Sequence, residues 1–195
     1  FLPRQEFDSY EDFKQNYRVN IPDHFNFGFD VVDAWAKEDK NKKALVWCDD
    51  HDNEKIFTFE DIRKLSNQAA HFFKDCGIKK GSVVMLILRR RWEYWIAAVA
   101  LHKIGAILIP GNLQLAKKDL IYRANAAQIS MMVCIDDDYV IEQVEGAMKE
   151  SPSIKCCAVA GGKRPGWLTF DEEIAKYPTE FDRPTGEEAN DNDDI

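Results

Sequence analysis

The sequence lacks the glycine-rich signatures of the common nucleotide-binding loops. It contains no Gly-x-Gly-x-x-Gly, no Gly-x-x-x-x-Gly-Lys-Ser/Thr and no Gly-x-Ser-x-Gly. These absences exclude a Rossmann fingerprint, a Walker-type phosphate loop and the nucleophile elbow of α/β-hydrolases. Gly161-Gly162-Lys163 comes nearest to a phosphate loop. We interpret it as a turn, because it has neither the required spacing nor a following helix.

Long apolar runs and positive charge are also scarce. No apolar run approaches the roughly 18 residues of a membrane helix, and the start of the chain does not resemble a signal peptide. We therefore expect a soluble, cytoplasmic protein with no membrane span. The net charge of −8 makes a nucleic-acid binder that depends on bulk positive charge improbable. Much of that charge lies from Glu180 to Ile195, where seven acids accompany one arginine.

Metal-ligand patterns are missing as well. The sequence has five cysteines and four histidines but no Cys-x-x-Cys and no histidine cluster, so we predict no metal site from these residues. We interpret the cysteines as small buried hydrophobic residues of a protein from a reducing compartment. They are Cys48, Cys76, Cys134, Cys156 and Cys157.

Short apolar runs alternate with segments of helical periodicity along most of the chain. Predicted strands are 44–47, 56–59, 82–88, 106–110, 129–135 and 154–160, and helices begin near residues 30, 60, 92, 117, 139 and 170. Capping boxes are indicated by Thr58 with Asp61 and by Thr169 with Glu172. The alternation predicts an α/β fold of βαβ units, with a mainly parallel sheet and helices on both faces.

The chain divides into three predicted parts. Residues 1–30 are aromatic and polar without a clear period and are expected to form an arm across the body. Residues 31–178 are expected to form the α/β subdomain. Residues 179–195 are expected to be an acidic linker.

Ligand sites of such sheets lie beyond the carboxyl ends of the strands. Arg89-Arg90-Arg91 could meet phosphate groups there, or could be a solvated strand end whose arginines pair with nearby acids. Gly111, in Pro110–Gln114, permits close approach of a ligand or simply makes a turn. Asp136-Asp137-Asp138 could hold magnesium or could lead into a helix.

Several segments, taken in order, resemble the amino-terminal part of the adenylate-forming acyl-CoA synthetases. They are Ile56–Asp61, Gly81–Met85, Ala100–Ala106 leading to Pro110-Gly111, Asp119–Arg123 and Gly166–Leu168. The last two are most similar to the medium-chain branch, which is near the acetyl-CoA synthetases. The resemblance covers roughly residues 21–195.

This resemblance implies a parent ligase that activates a carboxylic acid with ATP and Mg²⁺ and transfers the acyl group to coenzyme A. The phosphate-gripping loop and the catalytic residues are expected beyond Ile195, in the remaining subdomains. The 195 residues alone are therefore expected to be inactive and to bind ATP weakly or not at all. The resemblance also implies that Gly111 and Asn112 lie near coenzyme A. Two alternatives remain: a non-catalytic α/β interaction module, and an adenylation domain that loads a carrier protein.

Overall fold

The computed structural model describes residues 1–194, which form seven β-strands and seven α-helices. The strands β1–β7 are Lys43–Cys48, Glu54–Thr58, Val83–Ile87, Ile107–Pro110, Ile129–Ile135, Cys156–Ala160 and Leu168–Thr169. The helices α1–α7 are Tyr10–Asn16, Ala34–Glu38, Phe59–Asp75, Glu93–Lys103, Lys117–Ala127, Asp138–Met148 and Phe170–Ile174. No helix within residues 1–194 is both long enough and apolar enough to cross a membrane.

A five-stranded parallel sheet organises the body, with strand order β4-β3-β5-β6-β7. Strands β1 and β2 pair with each other as a separate antiparallel hairpin. Strand β3, an interior strand of this sheet, is almost wholly buried, which explains why its sequence is a continuous apolar run rather than an alternation. These features confirm the predicted α/β fold with a mainly parallel sheet.

Helices cover both faces of the sheet. In β3, Val84 and Leu86 pack into the cluster formed with α3, α4 and α7, whereas Met85 and Ile87 face the cluster formed with α5 and α6. This alternation follows from the two-residue period of a strand. The prediction of helices on both faces is therefore confirmed.

One of the two predicted capping boxes is present. The Thr58 side chain accepts a hydrogen bond from the backbone N–H of Asp61, and the Asp61 carboxylate accepts one from the N–H of Thr58 at 2.9 Å. The second prediction is wrong: Thr169 precedes α7, but its side chain makes no capping hydrogen bond. Its expected partner, Glu172, instead pairs with Lys163 at 2.7 Å.

The segment predicted as an acidic linker packs against the body over its described residues, and Ile195 lies outside the described residues. Its acids meet lysines and arginines of the body: Glu180 with Arg63 at 2.9 Å, Glu188 with Lys74 at 3.2 Å, and Asp194 with Lys80 at 2.9 Å. The segment also contacts residues 22–30 of the predicted arm, where Arg183 binds Asp30 at 2.7 Å. Three of its acids are thus paired with basic side chains of the fold.

A buried lysine joins four parts of the chain. Lys103, at the end of α4, is 0% exposed, and its Nζ donates to Asp33 Oδ1 at 2.7 Å and to Asn67 Oδ1 at 2.6 Å. Asn67, on α3, in turn donates to the Thr179 carbonyl at 2.8 Å. Burial lowers the pKa of Lys103, and the attraction of Asp33 opposes that shift. The ammonium group is tolerated in the interior because it is paired and hydrogen-bonded.

Replacing this lysine should destabilise the fold strongly. Lys103→Ala leaves the largely buried Asp33 carboxylate and Asn67 without their partner, and we expect a loss of about 3 kcal/mol in the free energy of unfolding, measured with urea. Lys118→Ala, at an exposed lysine of α5, is the matched control and should change it by less than about 0.5 kcal/mol. A loss from Lys103→Ala as small as that of the control would show that the buried pair does not anchor these elements.

The ion pairs at the start of α3 should make the free energy of unfolding depend on pH in the acidic range. Hydrogen bonds from Arg63 lower the pKa of the Glu60 carboxyl to about 2. Because its folded pKa is depressed, this group adds stability above its ordinary pKa, and the contribution disappears as the pH falls toward 2. Glu60→Gln should cost about 0.5–1 kcal/mol at pH 7 and flatten the loss of stability between pH 5 and 2. Urea unfolding at several pH values measures this, with Glu142→Gln on α6 as a control that should behave like the wild type.

Candidate functional site

Four loops follow the parallel strands at one edge of the sheet, since the carboxyl ends of parallel strands lie together. They begin after Ile87, Pro110, Ile135 and Ala160, at the ends of β3, β4, β5 and β6. The residues predicted as candidates lie in these loops, except Asp138, which is the first residue of α6. The structure separates those that hold the loops together from those that face solvent.

The loop after β4 carries both predicted site residues. The Gly111 N–H donates to the Leu86 carbonyl at 2.8 Å and so extends the β4–β3 ladder. A Cβ atom at Gly111 would lie 2.7 Å from Ile87 Cγ1, closer than real packing allows. Asn112 is exposed, and its Oδ1 accepts a hydrogen bond from the Gln114 N–H at 2.9 Å. Gly111 is therefore required for packing against β3, whereas Asn112 lies on the exposed side of the loop.

Arg89 borders the same loop. A groove of about 570 Å³ is lined by Arg89 and by the five residues Pro110–Gln114. The Arg89 side chain is 61% exposed, and its nearest carboxylate, that of Asp50, lies 3.9 Å away. Its backbone φ of 51° is uncommon for a residue other than glycine. The guanidinium therefore offers donors to an anion in the groove.

The other two arginines of this run have different surroundings. The Arg90 carbonyl accepts a hydrogen bond from Trp47 Nε1 at 2.7 Å, which ties the loop to the hairpin. Arg91 donates to the carboxylate of Glu93, whose side chain is 1% exposed. Burial raises the pKa of Glu93, and the Arg91 guanidinium opposes this. Pairing with a nearby acid is thus the correct interpretation for Arg91.

The three aspartates after β5 do not fit a magnesium site. Arg164 binds Asp136 and also Asp138, the latter at 2.7 Å. Asp137 Oδ1 accepts a hydrogen bond from the Val140 N–H at 3.1 Å and caps α6. Because an arginine and a helix cap already engage these carboxylates, we assign no Mg²⁺ chemistry to them. The interpretation as a loop leading into a helix is the correct one.

Gly161 and Gly162 form a turn, as predicted. Gly161 has a φ of 75°, and its N–H donates to Asp171 Oδ2 at 2.8 Å. A Cβ atom at either glycine would collide with a neighbouring side chain, that of Arg91 at Gly161 and that of Asp136 at Gly162. The pair therefore allows β6 to end against two charged side chains of adjacent loops.

Two residues of this edge were missed from the sequence, Arg164 and Glu93. Arg164 lies 28 residues after Asp136, and no local pattern indicates that they pair. Glu93 was not identified from the sequence because an acid at the start of a helix is usually exposed and interacts with the helix dipole. The preceding run of arginines was the one available signal that a buried acid lay nearby.

Comparison with known families identifies the chain. The model of the family described as AMP-binding enzyme matches residues 32–195. The chain belongs to the AMP-binding enzyme family. The resemblance to adenylate-forming synthetases inferred from the segments between Ile56 and Leu168 is thereby confirmed.

Relatives with curated names fall in the predicted branch. Mouse mitochondrial acyl-coenzyme A synthetase ACSM3 is 32% identical over 183 residues, which cover 90% of this chain and 31% of the relative. Rat mitochondrial acyl-coenzyme A synthetase ACSM5 is 35% identical over 159 residues, which cover 78% of this chain and 27% of the relative. The chain thus spans about a third of the length of the relatives it matches. The expectation of a cytoplasmic protein is wrong, because these relatives are named as mitochondrial.

Solved structures share the fold of this AMP-binding chain. The anthranilate CoA ligase AuaEII in complex with anthranoyl-AMP has a TM-score of 0.78 at 22% identity, over 90% of this chain and 32% of that chain. An acyl-CoA synthetase from Brucella canis has a TM-score of 0.77 at 22% identity, over 91% and 34%. At this identity the likeness concerns the fold, and it supports the assignment of the parallel sheet and its flanking helices.

Adding a methyl group at Gly111 should disturb the edge of the sheet. Gly111→Ala places Cβ against Ile87, and we expect a loss of about 1–3 kcal/mol in the free energy of unfolding from overpacking. Gly146→Ala in α6 is the matched control, because its Cβ would meet the flexible Lys117 side chain at 3.1 Å. In that variant the free energy of unfolding should be unchanged or higher by roughly 0.5–1 kcal/mol. Equal effects of the two substitutions in urea unfolding would contradict the packing role of Gly111.

Proposed function

We propose that the chain serves as the amino-terminal part of an AMP-forming acyl-CoA ligase. The observation that carries this proposal is the family match over residues 32–195, together with relatives that are named acyl-coenzyme A synthetases. In such a reaction the substrate carboxylate attacks the α-phosphate of ATP, which gives an acyl-adenylate and pyrophosphate. The thiol of coenzyme A then attacks the acyl carbon and displaces AMP.

The proposal assigns the chemistry of the first step to residues outside these 195. Adenylation needs Mg²⁺ and cationic or backbone donors that stabilise charge on the phosphates. The carboxylates after β5 are engaged by Arg164 and by the cap of α6. The role left for this chain is to form a rigid sheet and to present the loops at its carboxyl edge.

Within that role, we assign the groove beside β4 to coenzyme A. Gly111 and Asn112 line it, and Arg89 supplies an exposed positive charge beside them. A phosphate of coenzyme A is the chemically matched partner for that guanidinium, because arginine and phosphate form charge-assisted hydrogen bonds. The acid substrate is proposed as a medium-chain or similar carboxylic acid.

Acid-dependent pyrophosphate exchange tests the overall proposal. The full-length protein that contains this chain should exchange labelled pyrophosphate into ATP when supplied with a suitable member of a panel of carboxylic acids, and should release free acyl-CoA. Absence of exchange with every acid would refute the ligase function and favour an interaction module. Exchange accompanied by a protein-bound thioester and no free acyl-CoA would instead indicate loading of a carrier protein.

The coenzyme A assignment makes a separate prediction. In the full-length ligase, Arg89→Ala should raise the KM for coenzyme A roughly tenfold, as expected for one lost charge-assisted contact. Pyrophosphate exchange should stay unchanged, since that half-reaction precedes coenzyme A. Arg123→Ala, at an exposed arginine of α5, controls for the loss of surface charge and should leave both values unchanged. An unchanged KM in Arg89→Ala would remove Arg89 from the coenzyme A site without affecting the ligase proposal.

The isolated 195-residue chain provides a check on where ATP binds. Because the phosphate-gripping residues are assigned outside it, titration calorimetry should detect no tight ATP binding. Micromolar affinity would show that the nucleotide site lies within this chain after all.

A further inference from the structure

Two cysteines that are distant in sequence meet beside the core. Cys76 directly follows α3, and Cys156 is the first residue of β6. Their sulphur atoms are 3.9 Å apart, within range of a weak hydrogen bond between thiols. Both side chains are half-buried against the cluster on the α3 and α4 side of the sheet.

The remaining cysteines have other surroundings. Cys157 faces the opposite side of the sheet from Cys156, and its sulphur lies 3.5 Å from Met148 Sδ. Cys134 is buried in the same second cluster. Cys48 is exposed on the hairpin. Among the described cysteines, Cys76 and Cys156 are the pair within thiol contact. The interpretation of the cysteines as small buried hydrophobic residues did not anticipate this contact, and it is wrong for the exposed Cys48.

We propose that Cys76 and Cys156 form a reversible oxidation site, in which a peroxide converts the two thiols into a disulfide that joins α3 to β6. The sulphur atoms must approach by roughly 1.8 Å to reach the bonded distance. Cys76 lies at the end of a helix and is followed by Gly77 at a φ of 82°, and helix ends accommodate such small shifts more readily than the centre of a sheet does. The half-exposed position admits a small oxidant.

The environment distinguishes the roles of the two sulphurs. The hydrogen bond with Cys76 lowers the pKa of Cys156, whereas that same bond, burial and the nearby Asp75 raise the pKa of Cys76. Of the two sulphurs, that of Cys156 therefore gives up its proton more readily, and the thiolate is the nucleophilic form of cysteine. Cys156 is assigned as the sulphur that reacts with the oxidant, and Cys76 as the resolving thiol.

The chemistry balances with one equivalent of hydrogen peroxide. The Cys156 thiolate attacks one peroxide oxygen, the O–O bond breaks, and Cys156 sulfenic acid and hydroxide form. The Cys76 sulphur then attacks the Cys156 sulphur, and the hydroxyl group leaves as water with the Cys76 proton. Two thiols are oxidised, one peroxide is reduced to two waters, and a dithiol reductant reverses the process by thiol–disulfide exchange.

Peptide mapping of the 195-residue chain tests the proposal directly. The reduced protein is treated with stoichiometric hydrogen peroxide, the remaining thiols are alkylated, and non-reducing digests are analysed by mass spectrometry. We expect a linked peptide pair containing Cys76 and Cys156 that disappears after dithiothreitol. Free Cys76 and Cys156 under conditions that oxidise Cys48, or a linkage that involves Cys48 instead, would overturn the proposal.

Single variants test the two roles. In Cys76→Ser, dimedone should label Cys156, because its sulfenic acid can no longer be resolved. Cys156→Ser should abolish the linked pair and leave Cys76 unlabelled, and Cys48→Ser should behave as the wild type. Circular dichroism checks that each variant is folded, and the wild-type mapping stands even if one is not. If dimedone labelled Cys76 in Cys156→Ser as fast as it labels Cys156 in Cys76→Ser, the assignment of Cys156 as the nucleophile would be refuted. None of these measurements depends on ligase activity.

Discussion

The buried ammonium group of Lys103 constrains how the pieces around the sheet assemble. A charge in the interior is stable only if polar partners surround it. Here the partners come from three other places in the chain: Asp33 before α2, Asn67 on α3, and, through Asn67, the Thr179 carbonyl. The correct arrangement of all four parts is therefore needed to satisfy one group. The segment after residue 178 is thus bound to the body by more than its surface ion pairs.

The sheet supplies the second constraint. Its interior strands are buried on both faces. Their backbone polar groups are hydrogen-bonded to neighbouring strands, and their side chains pack into two separate apolar clusters. Chemistry is thereby confined to the loops at the strand ends. At the carboxyl edge these loops are braced by charges: Arg91 with Glu93, and Arg164 with Asp136 and Asp138. Rigid loops of this kind are suited to present a ligand groove.

The elements that the sequence predicts well are those with local causes. Helix α5 begins at its predicted residue, 117, and strand β5 has its predicted bounds, 129–135, because periodicity and a continuous apolar run depend on neighbouring residues alone. Predictions failed where a side chain binds a residue that is not its neighbour in the sequence. The Thr169 cap is absent while Glu172 binds Lys163, and the sequence did not indicate that Glu180 and Glu188 pair with residues of α3. In the candidate site, the loops were predictable but the pairing of Arg164 was not.

The arginines at this edge of the sheet differ in how closely a carboxylate pairs with them, and this difference distinguishes their roles. Arg91 and Arg164 each contact a carboxylate directly, so their charges stabilise the loops and are largely unavailable to a ligand. Arg89 has a carboxylate only at 3.9 Å, and it stands beside a groove in a protein whose net charge is −8. An exposed guanidinium beside a groove attracts anions locally. The anionic ligand proposed for this groove is thus supported by the pairing of the neighbouring arginines as much as by Arg89 itself.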